Sequence, residues 1–151
     1  MAFWIFKCSP AKYRLSERLA DPNPRIRWRV TRYRDEIRPG DTVFIWETGP
    51  ARGIRAIMRV DEPPRETTEL PSEQPYNTRP ITETAWRVTG TLLDRHVNLP
   101  QALLREVAGL EQLSVLRKDV FQQATNFPVT DAEGEILLRL AGEQGSHPTG
   151  H

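Results

Sequence analysis

A single cysteine, Cys8, leaves nothing for an intramolecular disulfide to join and no thiolate cluster for a metal. Histidine is nearly as scarce. Of three, two stand in the last five residues, and His96 has no second histidine, cysteine or carboxylate at ligand spacing, which argues against a metal centre. The chain has no glycine-rich phosphate loop and no nucleophile elbow. A lone cysteine behind a buried strand is ordinarily a small apolar residue, so Cys8 is not read as a nucleophile. No apolar run approaches the length of a membrane span. The opening MAFWIFKCSP holds too short an apolar stretch for a signal peptide, with no basic region ahead of it. We therefore expect a soluble, cytoplasmic protein without cofactor or membrane partner, and a binder rather than a catalyst.

Arginine, by contrast, is concentrated. Six arginines fall between Arg25 and Arg38, with Trp28 and Tyr33 among them and Trp46 ending the apolar strand beyond. Guanidinium groups bind phosphate and flat aromatic faces stack on bases, so interleaving the two suits nucleic acid. A solvated arginine face beside core tryptophans is the alternative. The net charge of +1 also hides a division: residues 1–60 carry 13 Lys/Arg against 6 Asp/Glu, whereas residues 61–151 carry 8 against 14. One half can thus present a positive surface to an anionic partner.

The 151 residues fit one domain with a single real core. Residues 3–6 read as a strand covered on both faces. Ser9 as cap and Pro10 at a first helical position start a short helix over 11–19. Asp21-Pro22-Asn23-Pro24 is a loop, and periodicity leaves 27–33 open between strand and helix. Arg38-Pro39-Gly40-Asp41 turns into a strand over 42–46, and Thr48-Gly49-Pro50 turns again into a strand over 53–60. Residues 61–84, rich in Pro, Glu and Thr, read as a long surface loop whose carboxylates are solvated. Strand character returns over 86–93 and runs loosely to 97. A short helix is expected over 100–107, a helical turn within 113–123 and an extended piece over 126–129. Thr130 and Glu133 form a capping box for a helix over 135–141. We expect residues 1–142 to form the domain and 143–151 a polar, disordered tail. The fold class is α+β on a small, strongly curved sheet.

FWIFKCSP, then WRVTRY, RPGDTVFIWETG, GIRAIMRV, AWRV and a closing ATNFPVT follow one another in an order that resembles the EVE domain. That domain belongs to the PUA-like group, with the YTH and ASCH domains. The resemblance spans residues 3–140, and its most specific elements are FKCSP and GDTVFIW followed by a turn and GIRAIMRV. WRVTRY with VFIWETG is closest to EVE domains found with restriction nucleases. The free-standing type usually has an asparagine–tyrosine pair where this chain has Arg32-Tyr33. The resemblance implies a small PUA-like β-barrel of five or six strands with helices at its rim. Its pocket would accept a flipped base, a modified cytosine or methylated adenine, from DNA in preference to RNA, with a nuclease as a candidate partner. By motif position that pocket is lined by Cys8, Ser9, Trp28, Trp46, Thr48, Gly49, Asn126 and Phe127.

Phosphates would fall to Lys7, Arg25, Arg27, Arg29, Arg32 and Arg34. Extruding a base costs a few kcal/mol, and stacking on an aromatic returns about 1–3 kcal/mol, so Trp28 and Trp46 on either side of it are the expected walls. Burying one extra methyl gains only about 0.8 kcal/mol, so discrimination needs a third wall, Phe127, and a polar contact, for which the Asn126 amide both donates and accepts. Asn126 as a simple turn residue is the alternative. Trp4 and Trp86 read as core. The rival readings are a PUA-like small-molecule or nucleotide-binding protein or enzyme, and an interaction module using the acidic loop, which lacks aromatic anchors.

Overall fold

The apolar run at the start of the chain folds as β1 (Phe3–Cys8), buried on both faces from Phe3 to Phe6. The computed structural model describes residues 1–117 and 124–145. After β1 the chain turns on the Ser9 carbonyl, which accepts from the amides of Lys12 and Tyr13 at 2.9 Å each. The first helix, α1 (Leu15–Ala20), therefore starts four residues later than expected. The Ser9 hydroxyl caps the Ala11 amide (3.2 Å), but Tyr13 bridges to Asn77 and cannot join a helix.

β2 (Arg25–Arg29) resolves the ambiguous arginine segment as a strand, followed by β3 (Thr42–Glu47) and β4 (Gly53–Val60). Residues 61–84 are not simply a loop. They contain β5 (Arg65–Thr67) and a 3-10 turn at Pro71–Tyr76, and the carboxylate of Glu73 is buried, not solvated. Arg18, on the inward side of α1, meets Glu73 at 2.5 Å, and the Tyr13 hydroxyl donates to the other carboxylate oxygen at 2.6 Å. Burial pushes the Glu73 carboxyl up, while Tyr13 and Arg18 pull it back down. A charge so buried needs this partnering, which ties the acidic segment to α1.

β6 (Ala85–Asp94) and β7 (Leu99–Pro100) come next. The helix expected over 100–107 is the single turn α2 (Gln101–Leu104), and a 3-10 turn occupies Ser114–Leu116. The rest of the helical turn expected up to 123 lies outside the described residues. The chain ends in β8 (Asn126–Val129) and α3 (Asp131–Gly145). The capping box is present: Glu133 N–H donates to Thr130 Oγ1 (3.1 Å) and Thr130 N–H to Glu133 Oε1 (3.0 Å). α3 continues three residues into the segment read as tail; residues 146–151 lie outside the described ones.

The strands form one curled sheet in the order β2-β6-β4-β3-β1-β8, with β5 added on β6 and β7 on β4. β1 and β3 pair in parallel, and the other pairings are antiparallel. Side-chain alternation then sorts the apolar residues into two cores. Trp4, Phe6, Ile26, Trp28, Val43, Ile45, Met58 and Val88 fill the inside of the curl with α1. Phe3, Ile5, Phe44, Trp46, Ile54, Phe127 and Val129 lie on the other face, under α3 and residues 97–116. The result is a small α+β half-barrel of the PUA-like kind.

Gly134 lets α3 lie directly on β1, because a β-carbon there would stand 2.3 Å from the Phe3 ring. We expect Gly134→Ala to destabilise the protein by about 1–3 kcal/mol through overpacking. That outweighs the ~1 kcal/mol that replacing a helical glycine by alanine gains. Urea denaturation checks the sign, and stabilisation would contradict this packing of α3.

Candidate functional site

Strand direction gathers the segments named from the sequence at one end of the barrel. β1 and β3 run parallel and end at Cys8 and Glu47, while β8 runs against β1 and begins there at Asn126. The Thr48 amide donates to the Cys8 carbonyl at 2.9 Å, and the Lys7 amide donates to the Thr125 carbonyl at 2.7 Å. Gly49, at φ +102°, packs against Pro10. Cys8, Ser9, Thr48 and Gly49 thus form one half-exposed double turn.

The end of β2 joins them through Asn126. Its Oδ1 accepts from the Thr31 amide at 2.8 Å and the Arg32 amide at 3.4 Å, and its Nδ2 donates to the Arg29 carbonyl at 3.3 Å. Thr31 and Thr125 hydroxyls meet at 3.1 Å beside it. β2 and β8 are the two ends of the sheet order, so this one side chain closes the curl. Asn126 is only 1% exposed. Its amide is engaged with backbone, which is neither of the two roles considered from the sequence, base contact or a turn bonding its own backbone.

The expected aromatic walls do not share a cavity. Trp28 faces the barrel interior, against Phe6 (6.5 Å between centroids) and edge-on to Tyr13 (5.6 Å). Trp46 and Phe127 belong to the core on the opposite side of the sheet, with Trp46 only 2% exposed. The reason is parity. Cys8 and Phe6 alternate inward along β1, and Asn126 lies opposite Phe6, whereas Lys7, paired with Trp46, falls on the outer side with its ammonium 5.3 Å from the Phe127 ring. A clamp of Trp28 and Trp46 on the two faces of one base is therefore not formed. The interior group at this end is Trp28, Tyr13, Phe6, Cys8 and Asn126.

Burial, reinforced by the Glu47 carboxylate, pushes the Cys8 thiol far above its ordinary range, so the thiolate a nucleophile needs is suppressed. Glu47 itself is paired with Arg55 at 2.7 Å. Burial lowers the Lys7 ammonium from its usual value.

The arginines divide as well. Arg25, Arg29, Arg32 and Arg34 are exposed, with Arg29 3.5 Å from Glu83 and Arg34 stacked 4.3 Å over the half-buried Trp86 ring. Arg27 is buried, donating from Nε to Thr89 Oγ1 and from Nη1 to the Thr68 carbonyl, each at 2.9 Å, so its guanidinium is largely committed within the fold. Trp4 is core as expected, its indole N–H donating at 2.9 Å to Asp41, whose carboxylate also holds the amides of Ala2 and Arg38. Sequence reasoning missed Tyr13, Thr31 and Thr125. The WRVT and ATNF motifs contain the two threonines, but their contact spans 94 residues of chain.

Beside this end, Pro50, Ala51 and Arg52 face Pro100, Gln101 and Arg105 across an open groove of about 440 Å³. Among the described residues no helix is long and apolar enough to cross a membrane.

A curled mixed half-barrel with a few helices packed on it is a small α+β fold of the PUA-like class. The family model described as EVE domain matches residues 2–140, and the chain belongs to that family. A search of curated proteins gives no match. Among solved structures, Rpa0253 from Rhodopseudomonas palustris superposes with a TM-score of 0.67 at 16% identity, covering 100% of both chains. Human THYN1, in complex with DNA containing 5-methylcytosine, superposes at 0.62 with 15% identity over 93% of this chain and 98% of its own. ZmASCH from Zymomonas mobilis gives 0.55 with 10% identity over 93% and 99%.

Removing the Asn126 amide takes the partner from part-buried backbone groups of Arg29, Thr31 and Arg32, at about 1–3 kcal/mol. We expect Asn126→Ala to lower stability by that amount and to speed amide exchange at Thr31 ahead of the sheet centre. Uniform exchange across the sheet would contradict its role in closure.

Proposed function

We propose that this protein binds nucleic acid and reads a modified base at the Asn126 end of the barrel, with no catalytic step of its own. The observation that carries the reading is the convergence there of four strand ends that present half-exposed polar turns, with Trp28 on the interior side and Lys7, Arg29 and Arg32 around them. Family membership and the fold shared with human THYN1, a structure holding 5-methylcytosine DNA, support it. Modified cytosine is thus the first ligand to test and methylated adenine the second, with DNA ahead of RNA.

The arrangement revises the expected pocket. The base edge meets the Cys8–Ser9 and Thr48–Gly49 turns, whose backbone and hydroxyl groups offer both donors and acceptors. One base face meets Trp28 as the floor. A single stacking partner returns about 1–3 kcal/mol, against a few kcal/mol to extrude the base, so binding depends on phosphate contacts for the balance. A lone methyl adds about 0.8 kcal/mol, roughly a fourfold preference, unless the turns fit it closely.

The test is a panel of duplexes and single strands with and without methylated or hydroxymethylated cytosine and methylated adenine, each at two salt concentrations. We expect one modified strand to bind at least severalfold more tightly than its plain counterpart, and all affinities to fall with salt. Trp28→Phe, which keeps an aromatic in the core, should reduce the preference. Equal affinity for every oligonucleotide, or a preference untouched by Trp28→Phe, would contradict the reading. A nucleotide-binding reading is the runner-up, with the open groove beside α2 as its site. Tight binding of a free nucleoside without any backbone would favour it.

A further inference from the structure

The outer face of β2 carries a second arrangement. Since residues alternate, Arg25, Arg27 and Arg29 point away from Trp28. Arg29 pairs in register with Arg87 of β6, and Arg87 pairs in turn with Arg65 of β5. Three arginines therefore stand in one row across three neighbouring strands, spaced by about 4.8 Å. Like charges directly opposite one another destabilise a sheet, so an anion beside such a row is stabilising.

The row is only partly neutralised. Arg87 is 3% exposed; its Nη2 donates to the Glu83 carbonyl at 3.3 Å, and its Nη1 is buried without a hydrogen-bond partner. The nearest carboxylate is that of Glu83, half-exposed and 3.5 Å from Arg29. Its own backbone amide, then Arg29, Arg79 and Arg87, hold Glu83 below the usual carboxylate range. Glu62 and Glu69 act on Arg27, and Asp61 is engaged by Arg59 and the Thr91 hydroxyl. Arg25 and Arg65 are exposed with no ion pair among the described residues, and both press on Arg27.

We infer that the outer face of β2, β6 and β5 is a backbone-binding surface for nucleic acid, on which a phosphate displaces the Glu83 carboxylate from Arg29 and the exposed Arg25 and Arg65 take further phosphates, while the buried Arg87 adds positive charge beneath them. Planar guanidinium groups match phosphate with paired N–H donors. The exposed Arg25 and Arg29 stand four residues apart on this face of β2, about 13 Å, with the buried Arg27 between them committed to Thr89 and Thr68. An acidic protein partner would need apolar anchors, and Leu93 is the one exposed large hydrophobic among the described residues of these strands. The inference rests on the nucleic-acid reading above but concerns a different face, which contacts phosphate and no base. It also supplies the salt-dependent affinity that a single stacking tryptophan does not.

The test uses a plain duplex and the same duplex carrying 5-methylcytosine with the full chain, Arg25→Gln/Arg65→Gln and Glu83→Gln, titrated over a salt series. The double variant should weaken plain duplex roughly tenfold and lower the log–log salt slope by about two, one for each phosphate contact removed. Glu83→Gln should tighten binding severalfold. The ratio of modified to plain affinity should stay constant in all three proteins. Unchanged affinity and slope in the double variant would overturn the inference. So would undetectable binding of plain duplex, or a poly-glutamate peptide outcompeting it for the same arginines. A modified-to-plain ratio of one would sink base reading and leave this surface intact.

Discussion

One buried amide, that of Asn126, ties together the two ends of an open, curled sheet. A curled sheet ordered β2-β6-β4-β3-β1-β8 has two free edges, and unpaired edges invite pairing with other chains. Asn126 offers an acceptor to the amides of Thr31 and Arg32 and a donor to the Arg29 carbonyl, standing in for a missing strand-to-strand ladder. The constraint propagates. With Thr31 and Arg32 pinned, the chain turns at Tyr33, which adopts φ 65° and lays its ring 5.3 Å from Trp4. Trp4 is held by Asp41 in the Arg38–Asp41 turn, and Arg34 emerges over Trp86. The positions of the exposed arginines thus follow from how the barrel is closed.

Much of the fold was legible because its local chemistry is explicit. The Thr130–Glu133 capping box, the Pro-Gly-Asp turn before β3 and the uninterrupted apolar run of β1 each read directly as elements. The order of motifs identified the family, and with it the end of the barrel where the strand termini meet. What stayed hidden was mostly a matter of faces. A strand buried on both sides shows no alternation, so nothing in VFIW tells which side Trp46 takes. Only pairing with Lys7 on β1 fixes it opposite Trp28. Likewise β5 hides in a Pro- and Glu-rich stretch, since its pairing is supplied by β6 and not by local propensity. The buried Arg18–Glu73 pair joins two residues 55 apart, and Glu73 stands in a segment whose carboxylates read as solvated. Arg27 follows the same logic: the alternation that turns it outward meets Thr89 and the Thr68 carbonyl, not solvent.

These corrections reshape the functional reading. In the proposal, a cage of several rings around one base gives way to polar turns with Trp28 on their inner side. The exposed arginines Arg25 and Arg29 lie on the far side of β2, where we propose phosphate contacts. Strand alternation thus places an indole on the interior side of one five-residue element and exposed cations on the other, the side proposed to meet a phosphate backbone. Discrimination would come from the fixed turns at the mouth and affinity from charge, which is why the two should respond differently to salt.

The four tryptophans occupy four distinguishable settings: Trp28 inside the barrel, Trp4 bound to Asp41, Trp46 in the opposite core, and Trp86 beneath Arg34. Their indole N–H resonances, followed by NMR while a modified oligonucleotide and then its plain twin are added, test the central claim most directly. The account predicts that Trp28 shifts with the modified strand alone, Trp86 with both, and Trp4 and Trp46 with neither. A Trp28 signal indifferent to the modified strand, or a Trp46 signal that moves in its place, would contradict it.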